Sequence, residues 1–404
     1  LRVGDDSGFT EKQRISLERF YGQKGVPYYS LIHKGVKFNE FVGIIQIGNL
    51  TIQVLPKADK NNDKLQWKKV LLNMLKVAGT FDIHAPTSSS LNLKSNSILD
   101  LYLELFVHEV EYLLHIGLVK KYNIVEGNQK SLKGNIIFGK DIALNQVHRE
   151  RVYTRHTSYS KEHPLNRIIY KAIKVLSQIN TDAKLKTRID FLLLNFPEMS
   201  DITVTNSTFY KIHYTRKTEP YKKAIEIAHL LLLNYHPDIS FGKNNLLAIM
   251  FDMNLVWEEF IYQCLKLKCP PNYHIRSKPR KYFWQRDGGK KMAMIPDILV
   301  EVQNESTPNT HIILDTKWKN IKQNNPSPED LRQMYVYSKY FKNAKTALIY
   351  PGEDSAANLG KYFNEEINDQ HSDVTVSIIT LNVILEIEEW KKYIAKRIFE
   401  SNLF

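Results

Sequence analysis

Hydrophobic and polar residues follow two rhythms along this chain. Near the N-terminus, "FVGIIQIGNLTIQVLPK" (41–57) alternates on either side of Gly48-Asn49, which predicts a hairpin ending at Pro56. "LQWKKVLLNMLKVAG" (65–79) then shifts to helical spacing. "SNSILDLYLELFVHEVEYLLHIGL" (95–118) predicts a longer helix, with Ser95 or Ser97 as its cap and Gly117 as its stop. The stretch 119–146 is punctuated by Gly127-Asn128 and Lys133-Gly134 and reads as an arm or a pair of hairpins. "HRERVYTRHTSYSKEHPLNRIIYKAIKVLSQI" (148–179) passes from an extended charged segment into a helix near Pro164, and further helices fall around 183–195 and 217–234.

The last third moves to a different beat. Leu246 to Lys266 reads as a helix with Phe251, Leu255, Phe260 and Tyr262 as its packed stripe. Two long β segments follow, then a helix from Pro328 to Lys342. "KTALIYP" (345–351) reads as a buried strand, "DVTVSIITLNV" (373–383) as another, and "EIEEWKKYIAKRIFE" as a closing helix. This order predicts an α/β domain with a mixed sheet. The chain accordingly divides into a small β-rich start (1–60), a helical and β-arm region (61–240) and the α/β domain (241–404).

Charge adds a partner to this picture. Lys and Arg number 56 against 43 Asp and Glu, a net +13 that favours a polyanion. The arm contributes Lys120, Lys121, Lys130, Lys133 and Lys140, and suits docking as well as solvation. His148 and His156 stand among Arg149, Arg151 and Arg155, a setting better suited to solvent or phosphate than to a metal. The two cysteines, Cys264 and Cys269, have no histidines nearby to complete a zinc site and read as reduced thiols. With no apolar run of membrane length and no signal-peptide pattern, the expected location is the cytoplasm.

The candidate chemistry lies where the strand pattern is violated. "IPDILVEVQNESTPNTHIILDTKWKN" (295–320) predicts strands over Ile295–Val302 and His311–Trp318, yet carries Asp297, Asp315 and Lys317 within them. Two residues apart on a strand, Asp315 and Lys317 share one face. An acidic residue followed two positions later by Lys occurs three times, but the pairs at 182–184 and 389–391 lie in helical patterns, where such residues do not share a face. If Asp297 is delivered beside Asp315, two converging carboxylates need a cation, and magnesium or manganese fits. A lysine beside them can orient a water or balance charge on a pentacovalent phosphorane, which is the equipment of phosphodiester hydrolysis. Glu258, in the preceding helix, is the third candidate carboxylate, with Glu259 assigned to water. Gln333 and Tyr337 lie one helical turn apart and are candidates for the same cleft. In "KPRKYFWQRDGGKK" (278–291), Lys278, Arg280, Lys281, Arg286, Lys290 and Lys291 bracket three aromatics and turn at Asp287-Gly288, a basic ribbon suited to a phosphate backbone.

A helix Glu, then Pro-Asp, then Asp-Thr-Lys, then a helix with Gln and Tyr resembles the PD-(D/E)xK nuclease superfamily. "IPDILV", "IILDTKWKN" and "DLRQMYVYSKY" are similar to McrC, the cleavage subunit of McrBC modification-dependent restriction systems, and "FVGIIQIGNLTIQVLPK", the run Tyr122–Ile136 and "HPLNRIIYKAI" extend the likeness upstream. The resemblance implies Asp297 and Asp315 as metal ligands, Lys317 as the catalytic lysine, Glu258 as the helix carboxylate and Gln333 as its support. It also implies cleavage of double-stranded DNA, a AAA+ GTPase partner, and a second copy of the complex for a double-strand break. The chain contains no G-x-x-x-x-G-K-[ST] loop, so it is not expected to bind the nucleotide itself. Two other readings fit the same residues: a non-cleaving regulator of such a GTPase, and a nuclease of this fold serving repair or transposition.

Overall fold

The computed structural model describes residues 1–4, 9–22, 25–47, 50–56, 64–78, 98–180, 182–236, 246–303, 309–319, 321, 325–342, 344–352, 358–363 and 370–400. The chain divides into two compact units. Leu1–Gly43, Gln53–Pro86 and Met250–Phe404 form one; Ile44–Ile52 and Thr87–Ile249 form the other. The units interleave along the sequence, so the three consecutive segments read from the pattern do not correspond to them one to one.

The first unit is built on a six-stranded mixed sheet. Its elements begin with helix α1 (Met253–Leu267), strand β1 (Tyr273–Ser277) and a ribbon of β2 (Lys281–Gln285) and β3 (Lys291–Met294). They continue with β4 (Ile298–Val302), β5 (Thr310–Thr316), helix α2 (Pro328–Tyr340), β6 (Lys345–Pro351), β7 (Asn358–Phe363), β8 (His371–Leu381) and helix α3 (Ile387–Phe399). The sheet order is β1-β4-β5-β6-β8-β7. Pairs β5/β6 and β6/β8 are parallel and the others antiparallel. Parallel strands need cover on both faces, and the sequence supplies it. Met334 and Tyr337 of α2, with Phe341 at its C-cap, close over Leu299, Ile313, Leu348, Val376 and Ile378. Helix α1 packs on β5, and α3 packs on β8 and α1.

The buried positions of α1 are 253, 256, 257, 260, 261 and 264, a regular helical stripe joined by Glu258 and Leu265. Leu255, expected on that stripe, is 54% exposed because it lies roughly opposite Met253 around the helix. The helix is also shorter than its apolar pattern suggests. Leu246–Asp252 is a strand, and Asp252 ends it by accepting the N–H groups of Asn254 and Leu255 as the helix cap. The N-terminal region has the strands Tyr29–Ile32, Gly35–Phe38, Phe41–Ile47 and Leu50–Val54, and adds a helix that was not expected, Glu11–Tyr21, with a Thr10–Gln13 capping box. The helix predicted over 65–79 forms as Lys64–Val77 and packs on α1.

A four-stranded sheet is ordered Leu50–Val54, Phe41–Ile47, Leu246–Asp252, Tyr235–His236. Phe41–Ile47 is buried on both faces rather than alternating, as a central strand should be. The turn at Gly48-Asn49, the caps Ser95 and Ser97, and Gly79 lie outside the described residues. The long helix forms over Ile98–Ile116 and Gly117, at φ +91°, ends it. In the arm, Lys121–Gln129 pairs along its length with Val152–Ser160, and Asn135–Ile136 pairs on the latter's other edge. A helix over Phe138–Asn145 replaces the second expected hairpin. Gly134 is required where the arm turns back: at φ +77°, a Cβ would stand 2.4 Å from the Arg155 carbonyl oxygen. Helix Pro164–Ile179 starts at its proline as expected. No described helix is long and apolar enough to cross a membrane.

Candidate functional site

The violated strand pattern converges at one end of the β4/β5 pair. The register sets Ile298 opposite Leu314. One further step sets Asp297, just before β4, opposite Asp315 near the end of β5. Directly opposed residues of an antiparallel pair share a face, so both carboxylates stand on the side covered by α2. The backbone N–H and hydroxyl of Thr316 both donate to Asp297 Oδ2, at 2.7 and 3.0 Å. Lys317 lies just past the strand. Its N–H donates to the Ile349 carbonyl at 2.9 Å, and its Nζ is 2.7 Å from Asp315 Oδ2.

Asp315 is 1% exposed, which is expensive for a carboxylate unless paired. Its pairing is incomplete. Oδ2 lies within ion-pair reach of Lys317 but makes no hydrogen bond of good geometry. Burial, then the nearby Asp297, push its pKa up, and the attraction of Lys317 offsets only part of that. For Lys317, burial acts downward, but the carboxylates of Asp315, Asp297 and Asp330 outweigh it and its pKa ends above the ordinary lysine value. An isolated ion pair would lower the acid as it raised the base. Both rise here because burial, then Asp297, outweighs the pull of Lys317 on Asp315, while several carboxylates together outweigh burial at the lysine.

Glu258 extends the cluster from α1. It is buried, with Oε1 3.2 Å from Lys278 Nζ and without a well-formed hydrogen bond. Burial, then Asp297, raise its pKa to about 7 against the pull of Lys278. Lys278 continues the sheet on the other side of Asp297, donating its N–H to the Asp297 carbonyl at 2.8 Å. It does so at φ +49°, an uncommon conformation for a residue with a Cβ. Glu259 is partly exposed and accepts from Gln263 instead.

Gln333 and Tyr337 meet as their spacing predicts, the Gln333 amide donating to the Tyr337 hydroxyl at 2.8 Å. Tyr337, expected among the DNA-contacting residues, is 6% exposed and packed into the core under α2. Its hydroxyl donates to the Ile295 carbonyl at 3.3 Å, two residues before Asp297, so it steadies the approach to β4 and does not face outward. The ribbon residues are exposed: Lys281–Gln285 has no buried position, and the chain turns at Gly288 with φ +63°. Lys281 donates to the Tyr340 carbonyl, and Lys291 lies 5.5 Å from the Tyr282 ring. Arg280, Arg286 and Lys290 are also at the surface, whereas Lys278 is turned toward Glu258.

Sequence reading missed a second layer of the site. Asp330, in the first turn of α2, is buried, pairs with Lys319 Nζ at 2.5 Å and accepts from the Tyr350 hydroxyl at 3.1 Å. Burial acts upward on it, but the bonds from Lys319 and Ser327 hold its pKa below the ordinary value. The capping pattern Ser327-x-x-Asp330 was the available signal. Asn254 accepts from the Trp318 N–H at 3.0 Å and so ties α1 to the residue after Lys317.

Among the described residues, no three His, Cys, Asp or Glu side chains stand close enough to cage an ion. Magnesium does not ask for a cage; it binds through one or two carboxylates and keeps several waters. Asp315, with a buried and incompletely bonded oxygen, and Asp297 opposite it are a two-carboxylate set that fits it, and Glu258, whose Oε1 is likewise buried, is a neighbouring acid. His148 is exposed beside Glu150 at 3.2 Å, and both cysteines are free.

Comparison with known proteins bears on the fold and the family. The chain is similar to one in a refined half-complex from a tetradecameric assembly of Thermococcus gammatolerans McrB AAA+ hexamers with bound McrC, at 20% identity and a TM-score of 0.70, covering 99% of this chain and 89% of that one. A cryo-EM structure of the Thermococcus gammatolerans McrBC complex matches at 20% identity and a TM-score of 0.47, over 66% of this chain and 75% of that one. No curated protein matches the sequence. The family model described as McrBC 5-methylcytosine restriction system component matches residues 36–351, from the first sheet through α1, both motif strands and β6. The chain belongs to the family of McrBC 5-methylcytosine restriction system components.

Proposed function

We propose that this chain is the DNA-cleaving subunit of an McrBC-like, modification-dependent restriction complex, hydrolysing phosphodiester bonds with magnesium, or manganese in its place. One observation carries the reading: Lys317 stands 2.7 Å from a buried Asp315, with Asp297 across the strand pair from it. Asp315 and Asp297 would hold the ion, with Glu258 on α1 as the third acid nearby. A bound divalent ion supplies Lewis acidity and a water acidic enough to attack phosphorus near neutral pH. Lys317 orients that water and offsets charge developing on the phosphoryl oxygens. Thr316 fixes Asp297 through two hydrogen bonds, so the site is held before substrate arrives. Cleavage of methylated and unmethylated plasmid, with and without magnesium and the GTPase partner, tests the proposal. Metal-dependent cutting by the parent but not by Lys317→Ala is the expected result; equal cutting by both would overturn it.

The exposed ribbon is assigned to the phosphate backbone. Reversing Lys281, Arg286, Lys290 and Lys291 to Glu should weaken DNA binding and flatten its salt dependence by about 0.9 for each phosphate no longer neutralised. Fluorescence anisotropy across a salt series reads this directly, and an unchanged slope would remove the ribbon from the interface.

The arm is assigned to a AAA+ GTPase oligomer. McrB AAA+ hexamers with bound McrC appear in the half-complex to which the chain is similar. The arm exposes Ile124, Phe138, Ile142 and Val147, the last at 87%, a concentration of apolar surface that favours a protein partner. Alanine at Ile124 and Phe138 should reduce GTPase stimulation while leaving the fold intact. A double-strand break needs two such sites, hence a second copy of the complex.

A further inference from the structure

At the root of the arm lies a cavity of about 650 Å³ that the nuclease reading does not use. Its size is within the ~300–1,000 Å³ of ordinary small-molecule sites. Leu165, Ile202 and Ile212 contribute apolar walls, with the fully buried Ile168 behind them. Lys120, Lys211 and Lys217 bring positive charge, and no Asp or Glu lines the cavity. Lys211 and Lys217 make no ion pair among the described residues. His163 also lines it; burial, then the nearby Lys121, hold its pKa below the ordinary histidine range. The permanent charge of the lining is that of its lysines.

The walls are locked together. Asn166 is 0% exposed and Tyr221 1% exposed. The Asn166 amide donates to the carbonyls of Val119 at 2.9 Å and Lys161 at 2.7 Å. The Tyr221 hydroxyl accepts from the Val119 N–H and donates to Asn166 Oδ1, both at 2.8 Å. This buried network joins the start of the arm strand, the start of helix Pro164–Ile179 and the 215–221 segment, all of which border the cavity. Thr215 and Thr218 are joined in turn, the Thr215 N–H donating to the Thr218 hydroxyl at 2.8 Å. A concavity fixed this way loses little entropy on binding.

We propose that this cavity binds a mononucleotide, its phosphate among Lys120, Lys211 and Lys217 and its base against the isoleucine and leucine walls. An aliphatic wall rewards a flat apolar ring, and the threonine hydroxyls can meet a sugar edge; the Lys211 and Lys217 ammonium groups reward phosphate, with Lys120, whose Nζ lies 5.6 Å from the Tyr159 ring, beside them. The missing phosphate loop rules out hydrolysis of the Walker type at this position but not binding.

The test is calorimetric titration of the full chain with GMP, GDP, GTP, AMP and inorganic phosphate in turn. Saturable one-to-one binding of a nucleotide is expected, weakened about tenfold or more by Lys211→Glu with Lys217→Glu, equivalent to about 1.4 kcal/mol. Ile212→Trp, which narrows the cavity at a partly exposed wall position without altering charge, should weaken it similarly, with circular dichroism confirming that each variant is folded. Asp315→Asn should bind as the parent does, which separates this proposal from the nuclease assignment. Absence of nucleotide binding, indifference to both sets of substitutions, or equal affinity for inorganic phosphate would overturn it. So would tighter competition by a single-stranded oligonucleotide than by any mononucleotide, since that would make the cavity part of a nucleic-acid track.

Discussion

Asp315→Asn is expected to lower cleavage on the order of a thousandfold or more while making the metal-free protein more stable above neutral pH. The two effects have one cause. A carboxylate that is 1% exposed and faces a second carboxylate is charged at a cost, and the attraction of Lys317 is already included when its pKa ends above the ordinary value. A group whose pKa rises on folding takes up a proton as the chain folds. Its contribution is most favourable below the unfolded value and is lost as pH climbs through the folded one. The window for Asp315 runs from its ordinary 3.8 up to about 7. In chelator, the parent's melting temperature should therefore fall between about pH 4 and 7 beyond what the asparagine variant shows. Magnesium should restore part of it at pH 8 and little at pH 5, where protons already occupy the carboxyls. Melting curves of parent and variant at both pH values, with and without magnesium, decide the matter. A variant that melts lower than the parent at pH 8 would mean that Asp315 is held by ordinary pairing and does not call for a cation.

How far the site could be read from the sequence depends on which residues break a local rule. Asp315 and Lys317 were visible because they sit in a run otherwise suited to a strand, and Asp297 because it precedes another. Residues that obey local rules were invisible. Asp330 looked like an ordinary first-turn acid, yet it holds Lys319 and Tyr350 through contacts the sequence separates by 11 and 20 positions. The pairing of Lys278 with Glu258 likewise depends on a strand end meeting a helix across 20 residues. Errors in the fold have the same origin. Leu246–Asp252 and the helix after it form one apolar stretch in which strand and helix periods cannot be separated by eye. Helix Glu11–Tyr21 buries only Leu17, so it has almost no hydrophobic signal; the Thr10–Gln13 capping box was the cue that remained. Tyr337 had the right spacing to meet Gln333, but spacing does not reveal which side of α2 faces the core.

Trp257→Ala carries the other large expected effect, a loss of about 3–5 kcal/mol of stability. Trp257 is 0% exposed at the centre of an aromatic cluster, with ring centroids 5.0 Å from Trp318, 5.9 Å from Phe260 and 6.2 Å from Trp390. Phe260 and Trp390 close the group at 4.5 Å. These rings bind α1 to α3 and to the residue following Lys317, so the cluster that stabilises the sheet also sets where Glu258 and Lys317 stand. Removing the indole opens a cavity that rigid neighbours cannot collapse to fill. Trp257→Phe should cost much less, because it keeps most of the ring contact and removes an indole N–H that is buried without a hydrogen-bond partner. Urea denaturation of the two variants ranks them, and cleavage measured per folded molecule reads the second consequence. The alanine variant should cut slowly even where it is fully folded, since its helix carboxylate and its lysine have lost their common support. A midpoint unchanged by Trp257→Ala would show that the aromatic cluster is not what joins the scaffold to the site.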